Sequence, residues 1–138
     1  MYLLDTMVLS ELRKRQRNAN VVAWIGSVAE SDLHLSTVTI AEIEQGIERQ
    51  RRSNPDFARA LVDWLELTIS VYADRILRLT VGIARHWGRL AARIPNQDMD
   101  LAIAATALEH RLTVVTRNVP DFAPTGVAIF DPFAASRV

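Results

Sequence analysis

The stretch Leu101-Ala-Ile-Ala-Ala-Thr-Ala-Leu108, followed closely by Leu112-Thr-Val-Val115, decides the fold class. The first segment is apolar almost all round, which marks a helix buried on most sides rather than one lying on a surface. The second is short, Val-rich and free of polar alternation, the pattern of a strand covered on both faces. Tyr2-Leu-Leu-Asp5 has the same character and ends on a carboxylate. Leu33–Ser36, Ile76–Leu79 and Val127–Phe130 are further short strand candidates.

Helical spacing fills the intervals between these strands. Thr6 to about Arg15 carries Val8, Leu9 and Leu12, and a second helix is expected after Asn20 as N-cap, carrying Val21, Val22, Trp24, Ile25 and Val28. Thr39 is expected to open a helix through Ile43 and Ile47 to about Arg51. Asn54-Pro55 then stops it and starts another, with Phe57, Leu61, Trp64 and Leu65 at the 3.6 period. From about Thr80 to Arg93, Val81, Ala84, Trp87, Ala91 and Ile94 are expected on one face and Arg85, Arg89 and Arg93 on the other, before Pro95-Asn96 breaks the helix. Short apolar strands alternating with helices predict an α/β domain with a parallel sheet covered on both faces. In such a sheet, ligands sit beyond the carboxyl ends of the strands.

Composition narrows the function classes. The chain has 138 residues, 49% hydrophobic and 23% charged, enough for one domain with a proper core and too apolar for a disordered segment. No run approaches the roughly 18 apolar residues of a membrane span. The opening residues lack the basic flank and long apolar stretch of a signal peptide. A soluble, cytoplasmic protein is expected. Zero Cys removes disulfides and thiolate metal sites. Formal net charge is zero, so no global field marks a nucleic-acid binder, but Lys14 is the only lysine among 16 basic residues. That Arg bias suits phosphate contacts and equally suits an Arg-rich composition without function.

The carboxylates carry the chemistry. Asp5 ends the first strand, Glu42 lies near the start of the helix after the second, Asp98 and Asp100 open the buried helix, and Asp121 follows Thr116-Arg117-Asn118 after the Val-rich strand. In a parallel sheet these acids converge on one edge, where they repel one another unless cations intervene. Hard divalent ions with oxygen ligands, Mg²⁺ or Mn²⁺, answer that need. Each acid also has a purely structural reading. Asp5 and Asp98 are natural N-caps, Thr39-Ile-Ala-Glu42 has the spacing of a capping box, and Asp121 suits a polar turn. Asp100 resists that reading, since it enters a helix with almost no polar face, and a buried carboxylate needs a cation, a metal or several donors.

Other chemistries fit less well. His34, His86 and His110 lack zinc-ligand spacing, and no Gly-rich turn follows the first strand for a dinucleotide or P-loop site. A phosphoaspartyl phosphatase wants a second Asp two residues after Asp5, where this chain has Met7. The acid pair and downstream Lys of a receiver domain are missing. Ser10 beside Glu11 has no partner His, and Trp24, Trp64 and Trp87 are expected to pack rather than stack on bases.

Four blocks together resemble a known family. Leu3-Leu-Asp-Thr-Met-Val-Leu-Ser-Glu11, Ser36-Thr-Val-Thr-Ile-Ala-Glu42 with Gly46, Asp100-Leu-Ala-Ile-Ala-Ala-Thr-Ala107 and Thr116-Arg-Asn-Val-Pro-Asp-Phe122 look like the successive motifs of the PIN-domain nucleases. The likeness is to the VapC and FitB branch, the toxins of type II toxin–antitoxin pairs. It implies one PIN domain over residues 1–138, a three-layer α/β/α fold, and a Mg²⁺-dependent endoribonuclease in which Mn²⁺ can substitute. By position it makes Asp5, Glu42 and Asp100 an acidic triad that ligates metal, with Asp121 a fourth acid and Thr116 a support. Some relatives carry the fourth acid where this chain has Asn118, so Asp121 and Asn118 both stay candidates. Asp98 matches no fixed family acid. The resemblance also implies an RNA substrate, with tRNA among the structured RNAs used by relatives, a cognate antitoxin and a homodimer. One departure is Met7, where the family usually has Asn; either a polar contact is lost or Met7 points into the core. That departure motivates the alternative of a catalytically weak interaction module with the same fold. A metal-dependent phosphatase acting on small substrates is a further alternative.

Overall fold

The computed structural model describes residues 1–95 and 98–134, without the side chain of Asp98. Five parallel strands form its centre: β1 (Tyr2–Leu4), β2 (Leu33–Ser36), β3 (Ile76–Leu77), β4 (Thr113–Val115) and β5 (Ile129–Phe130). Their order across the sheet is β3-β2-β1-β4-β5. β1 is the middle strand, with Leu3 opposite His34 on one side and Val114 on the other. The helices are α1 (Thr6–Glu11), α2 (Ala19–Ser27), α3 (Thr37–Ser53), α4 (Pro55–Tyr72), α5 (Val81–Arg93), α6 (Asp98–His110) and α7 (Val119–Phe122).

Neighbouring residues of β1 serve opposite cores, as the period of two requires. Leu3 packs with Ile83, Leu90, Ile103 and Val114 beneath α5 and α6. Leu4 packs with Val8, Val21, Ile43, Ile47, Leu65 and Val115 beneath α1 to α4. Helices therefore cover both faces, giving the three layers α/β/α. α6 is the most enclosed: every residue from Leu101 to Ala107 is at most 1% exposed. Its alanines allow close approach of neighbours, and the Thr106 hydroxyl is satisfied by donating to the Ala102 carbonyl at 2.8 Å. Among the described residues no helix is long and apolar enough to cross a membrane.

The path builds outward from β1 to β2 and β3, then returns to β4 and β5 on the other side of β1. A right-handed crossover places helices on one face when the chain moves one way and on the other when it moves back. The reversal opens a crevice at the carboxyl ends of β1 and β4, the position where open α/β sheets bind ligands.

Several local expectations need correction. α1 stops at Glu11 instead of running to Arg15, because Glu11 turns inward and its carboxylate takes the Asn18 backbone N–H (2.8 Å) and Lys14 Nζ (2.9 Å). α2 is capped by Asn18, not Asn20; the Asn18 side chain accepts from the N–H groups of Asn20 and Val21. α3 begins at Thr37, with Ser36 as its cap accepting from Val38 N–H at 3.0 Å. Thr39 and Glu42 therefore form no capping box, and Glu42 stands in the second turn. β3 ends at Leu77 and leaves Leu79 exposed. On α5 the buried face runs through Ile83, Trp87, Leu90 and Ile94, and Val81 is 78% exposed; Ala84 and Ala91 are exposed as well. α5 ends at Arg93 before Pro95, as expected, while Asn96 lies outside the described residues.

One support has no local signal in the sequence. Arg75, just before β3, donates to the carbonyls of Leu33 (2.9 Å), Val71 (3.0 Å) and Glu30, and its guanidinium lies over Tyr72. It joins the end of α4 to the start of β2.

Candidate active site

Asp5 occupies the first residue beyond β1, where its backbone N–H still pairs with the Val115 carbonyl at 3.0 Å. Its carboxylate is buried, and each oxygen has a partner. Oδ1 accepts from the Thr6 N–H and Oδ2 from the Thr116 hydroxyl, both at 2.8 Å. The capping reading of Asp5 is therefore correct, and the same carboxylate faces the crevice with the other acids.

Thr116 is wholly buried beyond β4, and its oxygen also accepts from the Asn118 N–H at 2.9 Å. This links β1, β4 and the start of α7. Glu42 approaches from α3 and accepts from the Thr6 hydroxyl at 2.7 Å, with Thr39 Oγ1 3.2 Å from Thr6 Oγ1. The sequence reading gives Thr39 only a helix-capping part and Thr6 only the start of a helix, neither a place in the site. The signal was present, since Thr39 precedes Glu42 by three residues and shares its helical face.

The acids feel one another. Burial pushes the Asp100 carboxyl up to about 6, with the charges of Asp5 and Asp121 adding to it. Burial also raises Glu42, against the Thr6 hydrogen bond, and the charge of Asp100 raises it further. Asp5 is raised by burial despite its bonds from Thr116 and Thr6, with Glu42 and Asp121 contributing. The structure thus brings Asp5, Glu42, Asp100 and Asp121 together from four separate segments. Asn118 stands at the start of α7, makes no side-chain capping bond and offers its backbone N–H to Thr116. Asp98 is the first residue of α6, and its proposed capping role lies outside the described side chains.

Among the described residues, the ion pairs are Lys14–Glu11, Arg51–Glu48 and His86–Glu109, and none reaches these four acids. Also among the described residues, no three Asp, Glu or His side chains are gathered closely enough to enclose one ion. The donor chemistry nonetheless fits a hard divalent cation: oxygen-only ligands and accumulated negative charge that no ion pair among the described residues neutralises. Met7 is 42% exposed, so it does not point into the core. Of the basic side chains near the ends of α1 and α3, Lys14 and Arg51 are engaged with Glu11 and Glu48, Arg17 bonds the Lys14 carbonyl, and Arg13 lies over the Phe57 ring. The three tryptophans pack against the cores, each only partly buried.

This acid arrangement can be set beside known proteins. The PIN-domain family model matches residues 2–122, which include all four acids. The chain belongs to the PIN-domain family. Toxin FitB of Neisseria gonorrhoeae is 35% identical over 139 residues, covering 96% of this chain and 99% of FitB. A VapC ribonuclease of Sinorhizobium fredii is 30% identical over 141 residues, covering 96% of this chain and 98% of the relative. Among solved structures, the crystal structure of FitAcB from Neisseria gonorrhoeae superposes with a TM-score of 0.87 at 34% identity. It covers 98% of this chain and 100% of the matched one. The parallel sheet of this PIN domain, with helices on both faces, is thus the fold expected from the sequence.

Proposed function

We propose that this chain, as a single PIN domain over residues 1–138, is a divalent-metal-dependent endoribonuclease toxin held in check by a cognate antitoxin. The observation that carries the reading is that Asp5, Glu42, Asp100 and Asp121 act on one another's charge at the carboxyl ends of β1 and β4, with none of them in an ion pair among the described residues. Folding does not require such a cluster; four like charges in one crevice cost stability unless a bound cation offsets them. The names of its relatives, a toxin and a ribonuclease, support the same reading.

Asp5 and Asp100 are the residues expected to hold Mg²⁺ directly, with Mn²⁺ as a substitute, and Glu42 and Asp121 complete the donor set. When bound, the ion would lower the pKa of a water and offset charge on the scissile phosphate. The protein's own part is orientation. Thr116 and the Thr6 N–H fix both Asp5 oxygens, while the Thr6 hydroxyl fixes Glu42 so that its carboxylate can align the attacking water. The free acids repel RNA, so cation binding precedes productive substrate binding. In-line attack by water would leave 5′-phosphate and 3′-hydroxyl ends. A homodimer acting in the cytoplasm on a structured RNA such as tRNA completes the proposal.

Digestion of total cellular RNA by antitoxin-free protein, with Mg²⁺ or Mn²⁺ against EDTA, tests it. Discrete metal-dependent fragments that disappear with Asp100→Asn are the expected result. Absence of any cleavage by protein that still binds the metal would favour an interaction module or a small-substrate phosphatase instead.

A further inference from the structure

Beside the acids lies a groove of about 240 Å³ between α1, α3 and α4. Glu42, Gly46 and Gln50 form one side at successive turns of α3, while Phe57 and Trp64 of α4 and Arg13 form the other. Glu42 belongs to both the groove and the acid cluster, so the two are continuous. From Glu42 the groove follows α3 for eight residues, about 12 Å.

Gly46 is the informative residue. It sits in the middle of a 17-residue helix, where glycine is disfavoured. A Cβ built there meets nothing within 4 Å, so packing within the chain does not require glycine. What a side chain at 46 would occupy is the groove. The opposite wall is aromatic, the Arg13 guanidinium stands 5.1 Å from the Phe57 ring centroid, and Gln50 offers an amide with both donors and an acceptor. Aromatic faces, a stacked guanidinium and an amide are the groups that hold unstacked bases of single-stranded RNA. A peptide helix, about 10–12 Å across, could only lay single side chains into this space.

We propose that the groove is a nucleobase subsite: a base flanking the scissile phosphate enters over Gly46, stacks against Trp64 and Phe57, and presents its edge to Gln50. This rests on the ribonuclease reading and adds a determinant of which RNA is cut. Gly46 keeps the floor low, and Arg13 places positive charge beside an acidic centre.

The test uses full-length protein with its four acids intact and a fluorescein-labelled 15-nucleotide single-stranded RNA of mixed sequence, in Ca²⁺ instead of Mg²⁺, so that a hard cation of looser geometry fills the acidic centre without positioning the RNA for cleavage. Gly46→Gln fills the groove and is expected to weaken binding roughly tenfold. Gly46→Ala adds only a methyl and should bind nearly as the parent does, with a higher melting temperature. In a Trp24→Phe, Trp87→Phe background, RNA should quench Trp64 emission, and Gly46→Gln should abolish that quenching. Equal affinity for Gly46→Gln with no quenching of Trp64 would overturn the subsite while leaving the nuclease reading intact. Intact RNA binding by Gly46→Gln with loss of neutralisation by the antitoxin would give the groove to the protein partner and likewise overturn it. If the protein neither cleaves RNA in Mg²⁺ nor binds it in Ca²⁺, the nuclease reading falls and the subsite with it.

Discussion

The Thr116 hydroxyl donates to Asp5 Oδ2 across 2.8 Å and, through the same oxygen, accepts the Asn118 N–H at 2.9 Å. One buried side chain thus sets the orientation of the central acid and the start of the segment that carries Asp121. Thr116→Val keeps the shape and removes both bonds, leaving a carboxylate oxygen and a backbone N–H without partners. The expected cost is about 1–3 kcal/mol of stability, read by urea unfolding. The Asp5 carboxyl should also rise further, because the Thr116 bond is what lowers it most. Thr116→Ser should restore most of both properties.

The metal-binding role proposed for Asp100 opposes the stability of the metal-free fold. Its folded-state pKa of about 6 lies above the ordinary 3.8, so the folded protein binds this proton more tightly than the unfolded chain does. Its contribution to metal-free stability is fully present below about pH 3.8 and is lost as pH rises through 6. Asp5 and Glu42, also raised, act in the same direction. Asp100→Asn should therefore stabilise metal-free protein at pH 7.5 by about 1–2 kcal/mol, allowing for solvent screening of this half-buried group. It should also flatten the dependence of melting temperature on pH, while abolishing metal-dependent cleavage. A less stable Asp100→Asn protein would contradict this account.

The Thr6 hydroxyl holds Glu42 at 2.7 Å and lowers a carboxyl that burial raises. Thr6→Val removes that donor and keeps the Thr6 N–H that binds Asp5. Metal-dependent activity should fall roughly tenfold, the value of a hydrogen bond to a charged group, and its acidic limb should move to higher pH. Thr6→Ser should behave like the parent. An unchanged pH profile for Thr6→Val would remove Thr6 from the account of Glu42.

Arg75 acts through structure alone. Its fork satisfies three carbonyls around the entry to β2 and β3, a pattern that a lysine ammonium cannot reproduce. Arg75→Ala should destabilise the protein by about 1–3 kcal/mol, and Arg75→Lys should recover only part of that. Neither should change the pH profile of cleavage, since Arg75 has no bond to the acids.

The short strands and the buried helix were legible because their apolar runs leave few alternatives: Leu3, Leu4, Val114 and Val115 have no polar face to turn to solvent. The acids were legible as a group because a parallel sheet delivers the carboxyl ends of its strands to one edge. Helix boundaries were less legible where side chains choose between backbone partners. Asn18 and Asn20 are equally good caps by type, and the turn imposed by Glu11 selected Asn18. Ser36 and Thr39 competed for the start of α3, and the extended backbone at the end of β2 settled it for Ser36. The face of α5 is not legible from type alone, since Val81 and Ile83 are both apolar and only packing against α6 distinguishes them. The Thr6–Glu42 bond spans 36 positions in sequence, a relationship that no local pattern encodes.

Proton and cation compete for the same oxygens, which gives a test of the metal reading independent of catalysis. A ligand that binds only the folded state raises its melting temperature by mass action. Carboxylates must lose their protons to bind it. At pH 7.5, above the Asp100 value of about 6, Mg²⁺ at about 100 times its dissociation constant should add about 2.7 kcal/mol. At pH 5 most of that gain should vanish, because Asp100 is largely protonated and Glu42 and Asp5 are raised with it. Cleavage should lose activity over the same interval. Asp100→Asn should remove the Mg²⁺-dependent gain at both pH values while keeping its own higher baseline. A melting temperature indifferent to Mg²⁺ and Mn²⁺ at pH 7.5 would mean that the four acids do not hold the cation, whatever cleavage is observed.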